Sequence, residues 1–183
     1  MHKVISSASN IFPKPQPAKL QWFALHTKFK TEKYVAEQLR KKGFEAYVPV
    51  IKVTKRYSKK IKKLELPLIS CYVFIRMDTK DKGRVLETEY VYRFVSQTGK
   101  EEPIQDDEMD MMKRVVGEFD GEIKSKNLSF SIGEEVEVIS GSLTGIKGKL
   151  IEKSGKQSFV VELTSVGYEL HIEMDKNILR KIN

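Results

Sequence analysis

The run LPLISCYVFIR, Leu66 to Arg76, constrains the fold more than any other stretch of the chain. It is dense in β-branched and aromatic residues and carries Pro67 near its start, where a strand tolerates a proline. Read as one strand, it places Cys71, Val73 and Ile75 on one face and Tyr72, Phe74 and Arg76 on the other. An aliphatic face and an aromatic face both need a cover. Composition therefore favours a central strand packed on both sides over one whose aromatic face is kept open for a partner.

The flanking sequence predicts what surrounds this strand. Residues 1–20, with Pro13, Pro15 and Pro17 alternating, read as an extended, poorly ordered tail. WFALHT, from Trp22, has strand composition, and Thr27 to Thr31 offers N-cap candidates for an amphipathic helix with Val35, Ala36 and Leu39 inward and Gly43 as its C-cap. Phe44 to Pro49 reads as a second strand and Val50 to Leu66 as a long hairpin projecting from the sheet. A short helix over Asp78 to Thr88, a strand over Tyr90 to Val95 and a helix over Asp106 to Val116, with Met109, Met112 and Val116 on one face, complete the first part. This order predicts an α+β fold, helices beside one antiparallel sheet, over residues 21–117. Residues 118–127 show no hydrophobic period and read as a linker. Over 128–183, about five short strands between Gly and Ser turns predict a small β-barrel, with Gly141, Gly145 and Gly148 at its first hairpin.

Charge separates the two parts. The net charge is +8, and residues 1–120 hold 24 Lys and Arg against 16 Asp and Glu, while residues 121–183 hold 9 against 9. Within the first part, Lys28 to Lys63 carries 13 basic and 3 acidic side chains. A field this concentrated attracts phosphate backbones, and Tyr57 at the hairpin tip adds a ring for an unpaired base. Function classes that need other chemistry find no support. With Cys71 the single cysteine and His2, His26 and His171 the only histidines, no zinc-ligand spacing can be assembled, and Cys71 reads as a buried small hydrophobe. No acid and base pair, activated nucleophile or phosphate-cradling glycine loop stands out, which predicts a non-enzyme without cofactor or metal. No apolar run nears the roughly 20 residues that span a bilayer, so the expected location is the cytoplasm.

Several of these stretches match a family. Ile132 to Glu152, IGEEVEVISGSLTGIKGKLIE, resembles the KOW motif, and WFALHT, PLISCYVFI, YRFV and EPI (Glu102 to Ile104) stand upstream in the order seen in the N-terminal (NGN) domain of NusG-like transcription factors. The resemblance implies an NGN domain over 21–117, a KOW barrel over 128–183, and an antitermination or elongation factor that acts as a monomer on bacterial RNA polymerase. It further implies that Trp22, His26, Ile69, Tyr72 and Phe74 lie on a patch that docks on the clamp helices of the largest polymerase subunits. On this resemblance the aromatic face stays open, its missing layer supplied by polymerase, which reverses the preference from composition. The family's usual Phe-Pro-Gly-Tyr is Ile69, Ser70, Cys71 and Tyr72 here, so a fixed bend is expected to be lost.

The lysine-rich hairpin resembles the specialised RfaH- and UpxY-type paralogues that act on long operons such as capsular polysaccharide loci. In that resemblance Lys28, Lys41, Arg56, Tyr57, Lys59 and Lys60 meet the non-template DNA strand or nascent RNA. A housekeeping NusG is the nearest alternative, and coupling to the ribosome through the KOW domain is left open, with Val166 and Gly167 in the barrel loop where the family places an aromatic contact. A ribosome-associated RNA-binding KOW protein is the alternative of another class. Such a barrel should itself be basic, and this one is neutral.

Overall fold

The computed structural model describes residues 19–57, 60–96, 99–127, 133–153 and 156–182, leaving aside the side chains of 55–57, 60, 153, 156 and 176. The predicted N-terminal tail up to residue 18 lies outside the described residues. Strand β1 (Gln21–Thr27) is central. It pairs antiparallel with β5 (Tyr72–Met77) on one side and β6 (Val91–Phe94) on the other, and β2 (Glu45–Tyr47) joins the far edge of β5, giving the order β2-β5-β1-β6.

One face of this sheet packs as the sequence predicts. Phe23, Leu25, Val73, Ile75 and Met77 meet Val35, Ala36 and Leu39 of α1 (Glu32–Lys41) and Val85 of α2 (Lys82–Leu86), all of them buried. Gly43 closes α1 at φ 90°, where the Gly43 and Phe44 amides donate to the Arg40 and Leu39 carbonyls. Thr31 does precede the helix, but its hydroxyl donates to the Lys28 carbonyl and caps no helical amide.

The hairpin of β3 (Val50–Tyr57) and β4 (Lys60–Pro67) forms a two-stranded sheet of its own. The C-terminal unit is a six-stranded antiparallel sheet in the order β12-β8-β9-β10-β11-β7, built from β7 (Ile123–Asn127), β8 (Glu134–Val138), β9 (Lys147–Lys153), β10 (Lys156–Leu163), β11 (Tyr168–Ile172) and β12 (Leu179–Lys181). Its core holds Val136, Val138, Phe159, Val161, Leu170 and Ile172. The fold class is thus α+β, an N-terminal sheet with helices followed by a small β-rich unit of the SH3-like kind.

Three local expectations fail for physical reasons. The run Leu66 to Arg76 is not one strand: β4 ends at Pro67, and β5 begins only at Tyr72 after a bend. Cys71 therefore sits half-buried in that bend, not in the aliphatic face. Helix α3 (Asp106–Glu118) runs two residues further than its periodicity suggests and buries Met109, Met112 and Val115, with Val116 only partly covered. The expected linker is shorter than its composition implies, because Ile123–Asn127 pairs with Tyr168–Ile172 as β7 and completes the barrel sheet. IKSKN has little apolar pattern, and its ladder partner supplies what the sequence alone does not signal.

Candidate functional site

The site is shaped first by the bend before β5. Cys71 has φ 66°, a left-handed conformation that costs a side-chain-bearing residue roughly 1–2 kcal/mol. Two hydrogen bonds hold it there: its N–H donates to Glu32 Oε1 at 2.7 Å, and its carbonyl accepts the Thr27 N–H at 2.8 Å. Glu32 belongs to the first turn of α1 and is buried. The bend expected to vanish with the proline and glycine is therefore present, imposed by a carboxylate from another element. Burial, and then the negative charge of Glu32, pushes the Cys71 thiol up and keeps it a poor nucleophile.

Beyond the bend, the aromatic face of the sheet is covered, which overturns the expectation that Tyr72 and Phe74 stand open. Phe74 and Ile69 are 0% exposed and Trp22 is 2% exposed. They join one apolar cluster with Met109, Met112 and Val115 of α3 and with the core of the barrel. The Lys113 ammonium of α3 lies 4.3 Å from the centre of the Trp22 ring, and Ile104 bridges to the Trp22 backbone. Phe74 neighbours Tyr47 at 6.5 Å. Tyr72 stands edge-on to Tyr168 of the barrel at 5.2 Å and edge-on to His26 at 6.0 Å; its phenol is pushed up to about 12, first by burial and then by Tyr168. His26 is half-buried beside Tyr92.

Polar contacts fasten the barrel over this face. Ser165 donates from its hydroxyl (2.6 Å) and its backbone N–H (3.2 Å) to the Glu108 carboxylate of α3. Arg114 of α3 donates to the Ser142 and Thr144 carbonyls at 2.9 and 2.8 Å, and the Ser125 hydroxyl donates to the Leu68 carbonyl at 2.5 Å. Burial pushes the Glu108 carboxyl above the usual range, outweighing the two hydrogen bonds from Ser165. Val166, next in the same loop, is buried.

The basic surface lies elsewhere, on the β1–α1 turn, the outside of α1 and the hairpin. Lys28 is exposed, with its ammonium 5.1 Å from the centre of the Tyr90 ring. Lys41 pairs with Glu37 at 2.9 Å on the exposed side of α1, which pushes its ammonium up. The hairpin register sets Lys55 opposite Lys62 and Tyr57 opposite Lys60. Lys59, and the side chains of Arg56, Tyr57 and Lys60, lie outside the described residues.

A family model described as NusG, transcription termination factor nusG, matches residues 20–113, slightly over half of the chain. The chain belongs to the NusG family. Among solved structures it is similar to a Thermotoga maritima NusG titled "Domain interaction in Thermotoga maritima NusG", at 22% identity and a TM-score of 0.51, covering 90% of this chain and 98% of that one. It is also similar to an MjSpt4:Spt5 complex chain at 16% identity and a TM-score of 0.30, covering 88% and 98%. The NusG assignment makes the chain a member of a transcription factor family and fits the fold just described.

Of the residues assigned by resemblance to the NusG patch, Trp22, His26, Tyr72 and Phe74 share one face of the sheet, whereas Ile69 lies in the bend before β5 and packs into the same apolar cluster as Trp22 and Phe74. The KOW-type turn residues have separable roles. Gly141 and Gly145 adopt φ 85° and 87° in the turn after β8, whereas at Gly148 a Cβ would run into the Val160 carbonyl oxygen and the Phe159 ring. Sequence reasoning missed Glu32, Glu108, Arg114, Tyr168 and Ser165. Each looks locally like an ordinary helix-surface, loop or strand-end residue, and only the partner across the fold gives it a role.

Proposed function

We propose that this NusG-family protein is a transcription antitermination or elongation factor of the specialised, operon-directed kind. In this reading Trp22, His26, Ile69, Tyr72 and Phe74 bind the clamp helices of RNA polymerase once the barrel has moved aside. The observation that carries it is an aromatic face whose cover is a separate unit, joined by a short segment, residues 119–122 between α3 and β7, by a shared apolar cluster and by a few polar contacts. An apolar face capped by a separable layer can exchange that layer for an amphipathic helix pair, with aromatic anchors at the centre of the contact. The units that separate are an NGN-like residues 21–117 and a KOW-like residues 128–183, with β7 moving with the latter. Lys28, Lys41, Arg56, Tyr57, Lys59 and Lys60 then face nucleic acid displaced at the polymerase surface.

The test uses the full chain and core polymerase. Ser165→Glu sets a second carboxylate against Glu108, so it should loosen the barrel and strengthen polymerase binding. Adding Tyr72→Ala and Ile69→Ala to that variant should weaken binding again. Unchanged affinity in the combined variant would sink the docking assignment. For nucleic acid, about four phosphates contacted on a single strand predict that log K falls by about 3 per decade of salt. Mapping occupancy along transcription units separates a specialised factor, found on a few long operons, from a housekeeping one, found on all genes.

A further inference from the structure

Phe29 is 59% exposed, at the apex of the turn between β1 and α1. The turn is built: the Lys28 carbonyl accepts both the Thr31 N–H at 3.2 Å and the Thr31 hydroxyl at 2.7 Å, and Lys30 takes the left-handed φ of 65° that this geometry needs. The consequence is an aromatic ring fixed outward, with the Lys30 ammonium 5.2 Å from its centre. Across from it lie Leu66, itself 36% exposed, and Pro67 at the root of the hairpin, and together they line an open groove of about 440 Å³. The Lys33 ammonium is held at the groove by the Glu65 carbonyl at 3.1 Å and the Glu65 carboxylate at 3.3 Å.

An exposed ring beside apolar side chains would be unremarkable alone. Its surroundings select an occupant. Lys30 and Lys33 line the groove together with Glu65, and they belong to Lys28 to Lys42, a segment with six basic against two acidic side chains. An apolar slot with an outward ring and the Lys30 and Lys33 side chains along one rim matches an unpaired base attached to phosphates: the ring takes the base by its π-face and the lysines take the flanking backbone. We propose that Phe29, with Leu66 and Pro67, is a stacking platform for one base of a single-stranded nucleic acid. This rests on the nucleic-acid part of the function proposed above and adds to it a subsite.

The test measures binding of the full chain to a fluorescein-labelled oligothymidylate of about 12 nucleotides, its oligouridylate counterpart, and an abasic oligomer of the same length. Phe29→Ala should weaken binding of the two base-bearing oligomers roughly 5- to 100-fold, as loss of one stacked base does, and leave the salt slope unchanged. It should leave binding of the abasic oligomer unaltered, and Phe29→Trp should restore affinity. Lys30→Ala with Lys33→Ala should instead reduce the salt slope for all three. If Phe29→Ala binds every oligomer as the parent does while the salt slope stays steep, the platform is wrong and the electrostatic interface stands; an apolar peptide side chain as the true occupant would give this result. If the parent chain shows no salt-dependent binding to any of the three, both readings fall together.

Discussion

At the scale of single residues, the bend between β4 and β5 shows how a side chain far away in sequence substitutes for local chemistry. Glycine at this position would adopt the required backbone freely, whereas Cys71 is held there by the Glu32 carboxylate and the Thr27 amide. Cys71→Gly should therefore stabilise the fold by roughly 1 kcal/mol, since relief of the left-handed strain outweighs the added freedom of the unfolded chain. A shift of the urea midpoint to higher concentration checks it. Glu32→Ala should destabilise by roughly 1–3 kcal/mol, because the Cys71 N–H loses its acceptor inside the protein. Glu32→Gln keeps an oxygen acceptor and should cost less. Equal losses for the two variants would show that the negative charge, and not the hydrogen bond, holds the bend.

At the scale of elements, α3 is the pivot between the sheet and the barrel, with Met109 and Met112 in the shared core and Glu108 and Arg114 reaching the barrel loops. Glu108 has a definite pH signature. Its folded-state pKa lies above its ordinary value, so between the two the folded protein holds the proton more tightly than the unfolded chain. The stability it contributes is fully present below the ordinary carboxylate pKa and is lost as pH rises through the folded value. Urea midpoints should thus decline over the mildly acidic range, and Glu108→Gln, which keeps the acceptor without the titration, should flatten that decline. A parent-like slope in the variant would assign the dependence to another group.

At the scale of the whole molecule, the barrel acts as the second layer of the N-terminal sheet. Tyr72 reports its presence, because burial and Tyr168 together hold its phenol at about 12. Absorbance titration should find this tyrosine ionising late in the parent chain and closer to 10 in Ser165→Glu if the barrel lifts away. Since the raised phenol binds its proton more tightly when covered, closure should weaken as pH rises from about 10 through about 12. Tyr168→Ala removes an edge-on aromatic pair worth roughly 0.5–1.5 kcal/mol beyond its burial. It should lower the melting temperature and speed hydrogen exchange at β5; unchanged exchange would show that Tyr168 is not part of the cover.

The sequence by itself determined most of the elements, because hydrophobic period and turn chemistry are local. The inward faces of β1, β5 and α1, the hairpin and most of the barrel strands follow from which residues alternate and where glycine and proline fall. It also located the basic field, since charge is counted without coordinates. Only the tertiary structure decided what lies on Tyr72 and Phe74. An aromatic face looks the same in sequence whether a partner or the chain's own barrel buries it, and the pairs that settle the matter, Tyr72 with Tyr168 and Glu108 with Ser165, join residues 96 and 57 positions apart. The bend at Cys71 is the same case in miniature, a conformation set by a carboxylate 39 positions away. Composition, which favoured a strand covered on both sides, described the molecule as folded, and the resemblance points to what that covered face is proposed to do when the barrel leaves it.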